Sequence, residues 1–256
     1  MRFSREGEGP PIVLLHGYPD NLQIWSAVAP RLDGFERIAF DWPGMGGSEA
    51  WAGGATPAHM ASRLIALLDH WRIGRAAIAG IDMGGQPAVV AAAQHPDRIS
   101  AIAVSGSLLQ WNAPTSLDIR LLRKFRFNAF VLRHFPRVVF RRAIASSIDR
   151  LDADVRADFW EHFRRREVRN FIVRMCAGYE GTLPKLPEAL QVPAFCIWGE
   201  NDRHFPPVHV RHLPGATVRI IEGGQHWLPL QKPREFADQL KIAFSSSSRS
   251  DADSKK

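Results

Sequence analysis

Two cysteines and two tyrosines in 256 residues are the first scarcities that constrain this chain. Cys176 and Cys196 cannot build a disulfide framework. Both lie in apolar surroundings without metal-ligand spacing, which fits buried free thiols in a reducing compartment. No apolar run approaches the length of a membrane span, and the opening Met1-Arg2-Phe3-Ser4-Arg5-Glu6 lacks the apolar stretch of a signal peptide. A cytoplasmic protein without a membrane partner is the expectation. The histidines show no metal-binding spacing, so neither a metal nor another cofactor is expected. No nucleic-acid motif and no internal repeat is present, and no G-x-S-x-G occurs to supply a serine nucleophile.

What is present suits one sizeable core: 45% apolar and 23% charged residues, an ordinary balance for a globular chain. The formal charge of +7 is unevenly placed. From Ser116 to Arg174 there are 15 Lys or Arg against 7 Asp or Glu, interleaved with apolar residues at helical spacing such as Leu121, Leu122, Phe125, Ala129 and Leu132. That pattern reads first as a solvated helix face and second as a bias toward anionic ligands. Nucleic acid as a partner would need more than charge.

The organising stretch is Ala79-Gly80-Ile81-Asp82-Met83-Gly84-Gly85. The run before it, from Arg75, reads as a short buried strand, and the Ala-rich run from Gln86 to Gln94 as a helix. A sharp strand-to-helix turn strains the central residue and excludes large side chains from its neighbours, hence the glycines. This is the layout of a nucleophile elbow with Asp in the usual place of Ser; the plainer alternative is a glycine-rich turn whose Asp caps the helix.

Other apolar runs repeat the theme of a buried strand ending in a polar or glycine-rich turn. Pro11–Leu15 ends in His16-Gly17-Tyr18-Pro19, and Arg37–Phe40 in Asp41-Trp42-Pro43-Gly44-Met45-Gly46-Gly47-Ser48. Thr56-Pro57 opens a helix whose Met60, Leu64, Leu67, Leu68 and Trp71 share a face. Ile99–Val104 is a further strand. Pro193–Trp198 ends in Gly199-Glu200-Asn201-Asp202, and Thr217–Ile221 in Glu222-Gly223-Gly224-Gln225-His226-Trp227. Alternating strands and helices predict an α/β fold with a mostly parallel sheet flanked by helices. The alternation stops after Ser107, so residues 1–107 and 189–244 form the expected core and 108–188 an inserted helical cap. The serine-rich tail, 245–256, reads as disordered from its composition.

The suspicious groups, Asp82, Asp202 and His226 among them, fall at strand carboxyl ends, where open α/β sheets place ligands. Nucleophile, acid, histidine is also the chain order of the α/β-hydrolase arrangement. With H-G-Y-P, D-W-P-G-M-G-G-S, G-I-D-M-G-G, W-G-E-N-D and G-G-Q-H-W in this order, the chain resembles an α/β-hydrolase over most of residues 11–244, in the branch with an aspartate nucleophile. An aspartate is ionised at neutral pH and can displace a leaving group from a saturated carbon directly. The resemblance to epoxide hydrolases and to haloalkane and haloacetate dehalogenases then implies an alkyl-ester enzyme at Asp82. His226, oriented by Asp202, would activate the water that hydrolyses it. Backbone N–H groups of Tyr18 and Met83 would hold the oxyanion. Glu200 is the rival to Asp202, which matches the family position better; residues 98–117 offer no acid at all. His16 reads as structural.

Leaving-group residues are where the chain departs from these relatives. Haloalkane dehalogenases hold halide with a Trp after the nucleophile and an Asn or Trp elsewhere, the Asn following H-G; here Met83 and Tyr18 occupy the two quoted positions. Trp111 and Trp42 are substitutes, though both suit packing. Epoxide hydrolases use two cap tyrosines. Tyr179 falls where the second belongs, whereas Phe127 or Arg126 stands near the first, with His134 or His162 as stand-ins. Arg126 would also suit a substrate carboxylate. A small-molecule substrate, anionic or neutral, is the expected partner. Epoxide hydrolysis leads, with dehalogenation and a catalytically silent ligand-binding protein as alternatives.

Overall fold

The computed structural model describes residues 1–51, 53–110, 113–122, 124–145, 151–179 and 190–253. Its sheet is built from β1 (Phe3–Glu6), β2 (Pro11–Leu15), β3 (Glu36–Phe40), β4 (Ala76–Ile81), β5 (Ile99–Ser105), β6 (Ala194–Gly199) and β7 (Thr217–Ile221). The order is β1-β3-β2-β4-β5-β6-β7, and β1 alone runs antiparallel, on β3. Ile12, Val13, Leu14 and Leu15 are wholly buried because helices cover both faces, so a central strand needs no polar alternation. Strand β1 lies outside the sequence reading: its exposed, charged pattern carries no strand signal, and pairing with β3 alone defines it.

The helices α1 (Pro57–His70) and α2 (Gly85–Gln94) flank the sheet. The Thr56 hydroxyl accepts from the His59 N–H and caps α1, whose Met60, Leu64 and Leu68 are buried to 0%. Between β5 and β6 the strand alternation gives way to α3 (Leu117–Leu122), α4 (Phe125–His134), α5 (Pro136–Ala143), α6 (Ala153–Phe163) and α7 (Arg166–Tyr179). After β7 come α8 (Leu228–Gln231) and α9 (Pro233–Asp253).

The last of these runs into the serine-rich segment from residue 245. The backbone of α9 stays helical to Asp253. Composition reports that a serine run has little to bury, but extending a helix from turns already formed costs far less than starting one.

The chain leaves β2 toward one edge, to β3, then returns past β2 to β4 and continues toward the other edge. The loops after β2 and β4 therefore part at the carboxyl ends, opening a crevice between them. Tyr18 lies in the first loop and Asp82 in the second.

Candidate active site

Asp82 follows β4 directly and has φ +48°, a left-handed conformation that few residues other than glycine adopt. The surroundings hold it there. Ser107, just beyond β5, donates its hydroxyl to the Asp82 carbonyl at 2.8 Å. A Cβ on Gly84 would meet the Leu15 and His16 carbonyl oxygens at 2.6 and 2.7 Å, and one on Gly17 would meet the Asp82 Oδ1 at 2.7 Å. The glycines of the turn are thus required by close backbone approach, and an Asp that merely capped α2 would need no such crowding. The α2 cap has no side-chain hydrogen bond.

The carboxylate of Asp82 points back over the strand ends. Its Oδ1 accepts the Tyr18 backbone N–H at 3.0 Å, and its Oδ2 lies 3.4 Å from His226 Nε2. On the other side of the ring, His226 Nδ1 is 3.1 Å from Asp202 Oδ2. Asp202 is fixed in turn, its Oδ1 accepting the backbone N–H groups of His204 and Phe205 at 2.9 and 3.0 Å. Gly106, at φ +50°, leaves room for this pair; a Cβ there would come 2.8 Å from His226 Nδ1 and 3.2 Å from Asp202 Oδ2.

Burial alone would push the His226 pKa down, but Asp202 first and Asp82 second outweigh it and raise the group to about 10. The two carboxylates thus favour the imidazolium form of the ring that lies between them. His204 shows the opposite balance. Burial and the neighbouring His226 charge lower it to about 4, against a weaker pull from Asp202. Its ring stands edge-on to His226 with centroids 5.0 Å apart, and its Nδ1 lies 3.2 Å from the Ser116 hydroxyl.

The loops that carry these groups are tied together from behind. His16 Nε2 accepts the Trp42 N–H at 3.1 Å, and the His16 carbonyl accepts the Trp42 indole N–H at 3.1 Å. Asp41 accepts the N–H groups of Leu22 and Gly47, both at 2.7 Å. His16, Asp41 and Trp42 are buried braces of the loops rather than groups facing a ligand.

Above the strand ends lies a cavity of about 470 Å³. Its floor is Tyr18, Asp82, His204, His226 and Trp227; its walls come from α3 to α5, mostly apolar side chains such as Phe127, Val131 and Val139. Asp118 and Arg142 also line it, paired at 2.7 Å. The alternation of apolar and basic residues in these helices did not single out Asp118 or Arg142. His204 carried a signal, since it stands two residues after Asp202 and so shares its loop.

Of the residues expected at the site, Asp82, Asp202, His226 and the Tyr18 amide come together. Met83 follows Asp82 and is half-buried in the same turn. Glu200 is exposed and accepts the Gly223 N–H at 3.0 Å, bracing the turn after β7 instead of facing His226. Arg126 is exposed on α4 and does not line the cavity, whereas its neighbour Phe127 does. His162 binds Arg2 at 2.8 Å, and His134 lies against Phe130, so neither reaches the site. Trp111 and the side chain of Tyr179 lie outside the described residues. Cys196 is buried in β6 and Cys176 half-buried in α7, both free thiols. Burial, and then the Asp82 charge, push the Cys176 thiol up to about 12.

Comparison with known proteins identifies the fold. Residues 10–233 match the model of the α/β-hydrolase fold family. The chain is 27% identical over 255 residues to the dihydrolipoyllysine-residue acetyltransferase component of an acetoin cleaving system from Pseudomonas putida, covering 94% of this chain but only 65% of that relative. An epoxide hydrolase from Caballeronia sordidicola is 36% identical over 108 residues, 40% of this chain and 32% of its own. Among solved structures, a thermophilic esterase from Thermogutta terrifontis superposes with a TM-score of 0.80 at 24% identity, covering 96% and 93% of the two chains. The same fold thus accompanies different chemistries, and function has to be argued from the site.

Proposed function

Since the chain belongs to the α/β-hydrolase fold family, we propose that it is a hydrolase with Asp82 as nucleophile, acting on an epoxide through an alkyl-ester intermediate. The observation that carries this reading is the position of the Asp82 carboxylate, held in a strained turn between the Tyr18 amide and the His226 ring. A serine at this position would have to pass a proton to the histidine; a carboxylate attacks without that step.

In the first step an Asp82 oxygen bonds to the epoxide carbon and the ring C–O bond breaks. The departing oxygen points away from Asp82, toward the helices above, and takes a proton there. Tyr179, near the end of α7, is the assigned donor. Once esterified, Asp82 no longer carries one of the two negative charges that keep His226 protonated. The ring's pKa falls, its proton replaces the one that Tyr179 gave to the departing oxygen, and the neutral ring becomes the base that the second step needs. His226 then takes a proton from water while the hydroxide attacks the Asp82 carbonyl carbon. The resulting oxyanion is held by the Tyr18 N–H, already 3.0 Å from Oδ1, and by the Met83 N–H. Collapse breaks the bond to the substrate oxygen, which takes the remaining proton of the former water and leaves as the diol, and so restores the carboxylate and the imidazolium. Asp202 holds the ring in register throughout.

Displacement of a halide from a haloalkane or haloacid would use the same nucleophile and base, with halide release in place of diol formation. A panel of epoxides and halogenated substrates, read for diol and for halide, separates the two. Asp82→Ala tests the reading as a whole. It abolishes turnover while ligand binding in the cavity survives; if turnover persists in the variant, Asp82 is not the nucleophile. A wild-type protein that binds but turns over no member of the panel would instead be a silent ligand-binding relative.

A further inference from the structure

The apolar and basic residues of α3 to α5 are distributed in a way the cavity alone does not require. Of the eleven large apolar side chains substantially exposed among the described residues, five fall between Leu117 and Val138: Leu117, Phe127, Phe130, Phe135 and Val138. Four of them rim the cavity mouth, and Phe130 continues the patch outward against Phe135, 6.0 Å between ring centroids. The same stretch concentrates the charge. Residues 117–145 hold eight Lys or Arg and a single acid, Asp118, whereas the rest of the chain balances at 25 of each sign. Asp118 is itself taken up by Arg142. Arg126, Arg133, Arg137 and Arg141 are exposed among the apolar rings.

A clustered apolar patch in water is unfavourable, and a soluble chain rarely keeps one without use for it. Positive charge alone would suit any polyanion, but a nucleic acid backbone offers nothing to Phe130 or Val138. A second copy of this chain would bring an equally positive face against the first, and the two would repel. An anionic lipid surface satisfies both halves of the pattern, with aromatic and aliphatic side chains in the interfacial layer and guanidinium groups among the phosphates.

We propose that the face formed by α3 to α5 docks this protein peripherally on anionic lipid bilayers, with the cavity mouth turned toward the lipid. No helix among the described residues is long and apolar enough to cross a membrane, and attachment through guanidinium groups is salt-sensitive. Delivery of an apolar substrate from the bilayer through this mouth rests on the hydrolase reading above; docking itself does not. This departs from the expectation of no membrane partner and from the reading of the segment as a solvated helix face, because periodicity does not register that Phe130 and Val138 stay outside the core.

The test is co-sedimentation of the full chain with phosphatidylcholine vesicles, with and without phosphatidylglycerol. The expected result is binding to the anionic vesicles that is at least about tenfold tighter than to the zwitterionic ones and is lost on adding salt. The double variant Phe130→Ser/Arg133→Glu, at positions that do not line the cavity, should weaken that binding by at least about tenfold. Its melting temperature and its turnover of a water-soluble substrate should stay at wild-type values. Equal partition onto both vesicle types, no partition onto either, or unchanged binding by the double variant overturns the proposal. A concentration-dependent dimer that Phe130→Ser dissolves, without vesicle binding, assigns the face to a second copy and overturns it too. Failure here would leave Asp82 chemistry untouched, and failure of that chemistry would leave vesicle binding untouched.

Discussion

The floor of the site and its walls are built on opposite principles. On the floor, Asp82, Asp202 and His226 sit at strand ends and each is tied by charged or backbone hydrogen bonds within 3.4 Å. The walls, from α3 to α5, are apolar, partly open to solvent and strongly basic on the outside. A floor of this kind fixes one geometry and so one chemistry. Walls of this kind accept many shapes, so the proposed substrate and surface selection falls to them. The contrast is sharpened by changing residues on one side and looking for effects on the other.

The largest effect expected is on the floor. Asp82→Ala should reduce kcat/KM by about 10⁴-fold or more, measured under single-turnover conditions, with little change in melting temperature or in the cavity's ligand affinity. His226→Gln should differ in kind, leaving the first step intact so that the alkyl-ester enzyme accumulates and is seen by intact mass. Asp202→Asn should lower kcat by about 10³- to 10⁴-fold by letting the imidazole lose its orientation. Comparable losses from changes confined to the apolar walls would break the division of labour.

Next comes Gly106→Ala. Both the positive φ and the 2.8 Å approach to His226 Nδ1 oppose a side chain, so a loss of about 1–3 kcal/mol is expected in urea unfolding. Activity should fall with it, because the displaced group is the His226–Asp202 pair.

The smallest effects are in pH. His226 is raised to about 10, so the stability it contributes is complete below its unfolded pKa, near 6.5, and is lost as pH climbs from there through 10. Asp82→Asn removes one of its two carboxylates, so the decline should still start near 6.5 but end at lower pH and be smaller in total. His204 is lowered to about 4, so it destabilises the fold progressively as pH falls from about 6.5 toward 4. His204→Phe should flatten that acid limb, as read from melting temperature against pH. A His204 ring that titrates near its ordinary value by NMR would mean that it is not desolvated beside an imidazolium.

The division also marks what could be read from the residues alone. Strands β2, β4 and β5 are short apolar runs closed by glycine-rich turns, so their places were legible to within a residue or two. The grouping of Asp82, Asp202 and His226 was legible because a parallel sheet delivers all its strand ends to one edge. The walls were not. Helical spacing shows that Arg126 and Phe127 are neighbours, but it does not say which of them faces a cavity whose other side is a separate helix. The Asp118–Arg142 pair spans 24 residues of sequence and depends on how α3 meets α5. Strand β1 was invisible for a related reason: its identity lies in its partner β3, not in its own side chains.

The most direct measurement of the central claim is a single turnover with enzyme in excess in ¹⁸O-water, followed by mass analysis of the peptide carrying Asp82. If hydroxide attacks the Asp82 carbonyl carbon, that carboxylate gains one ¹⁸O and the first diol released contains none from water. Label in the diol with an unlabelled Asp82 would show that water attacks the substrate directly and would contradict the covalent route.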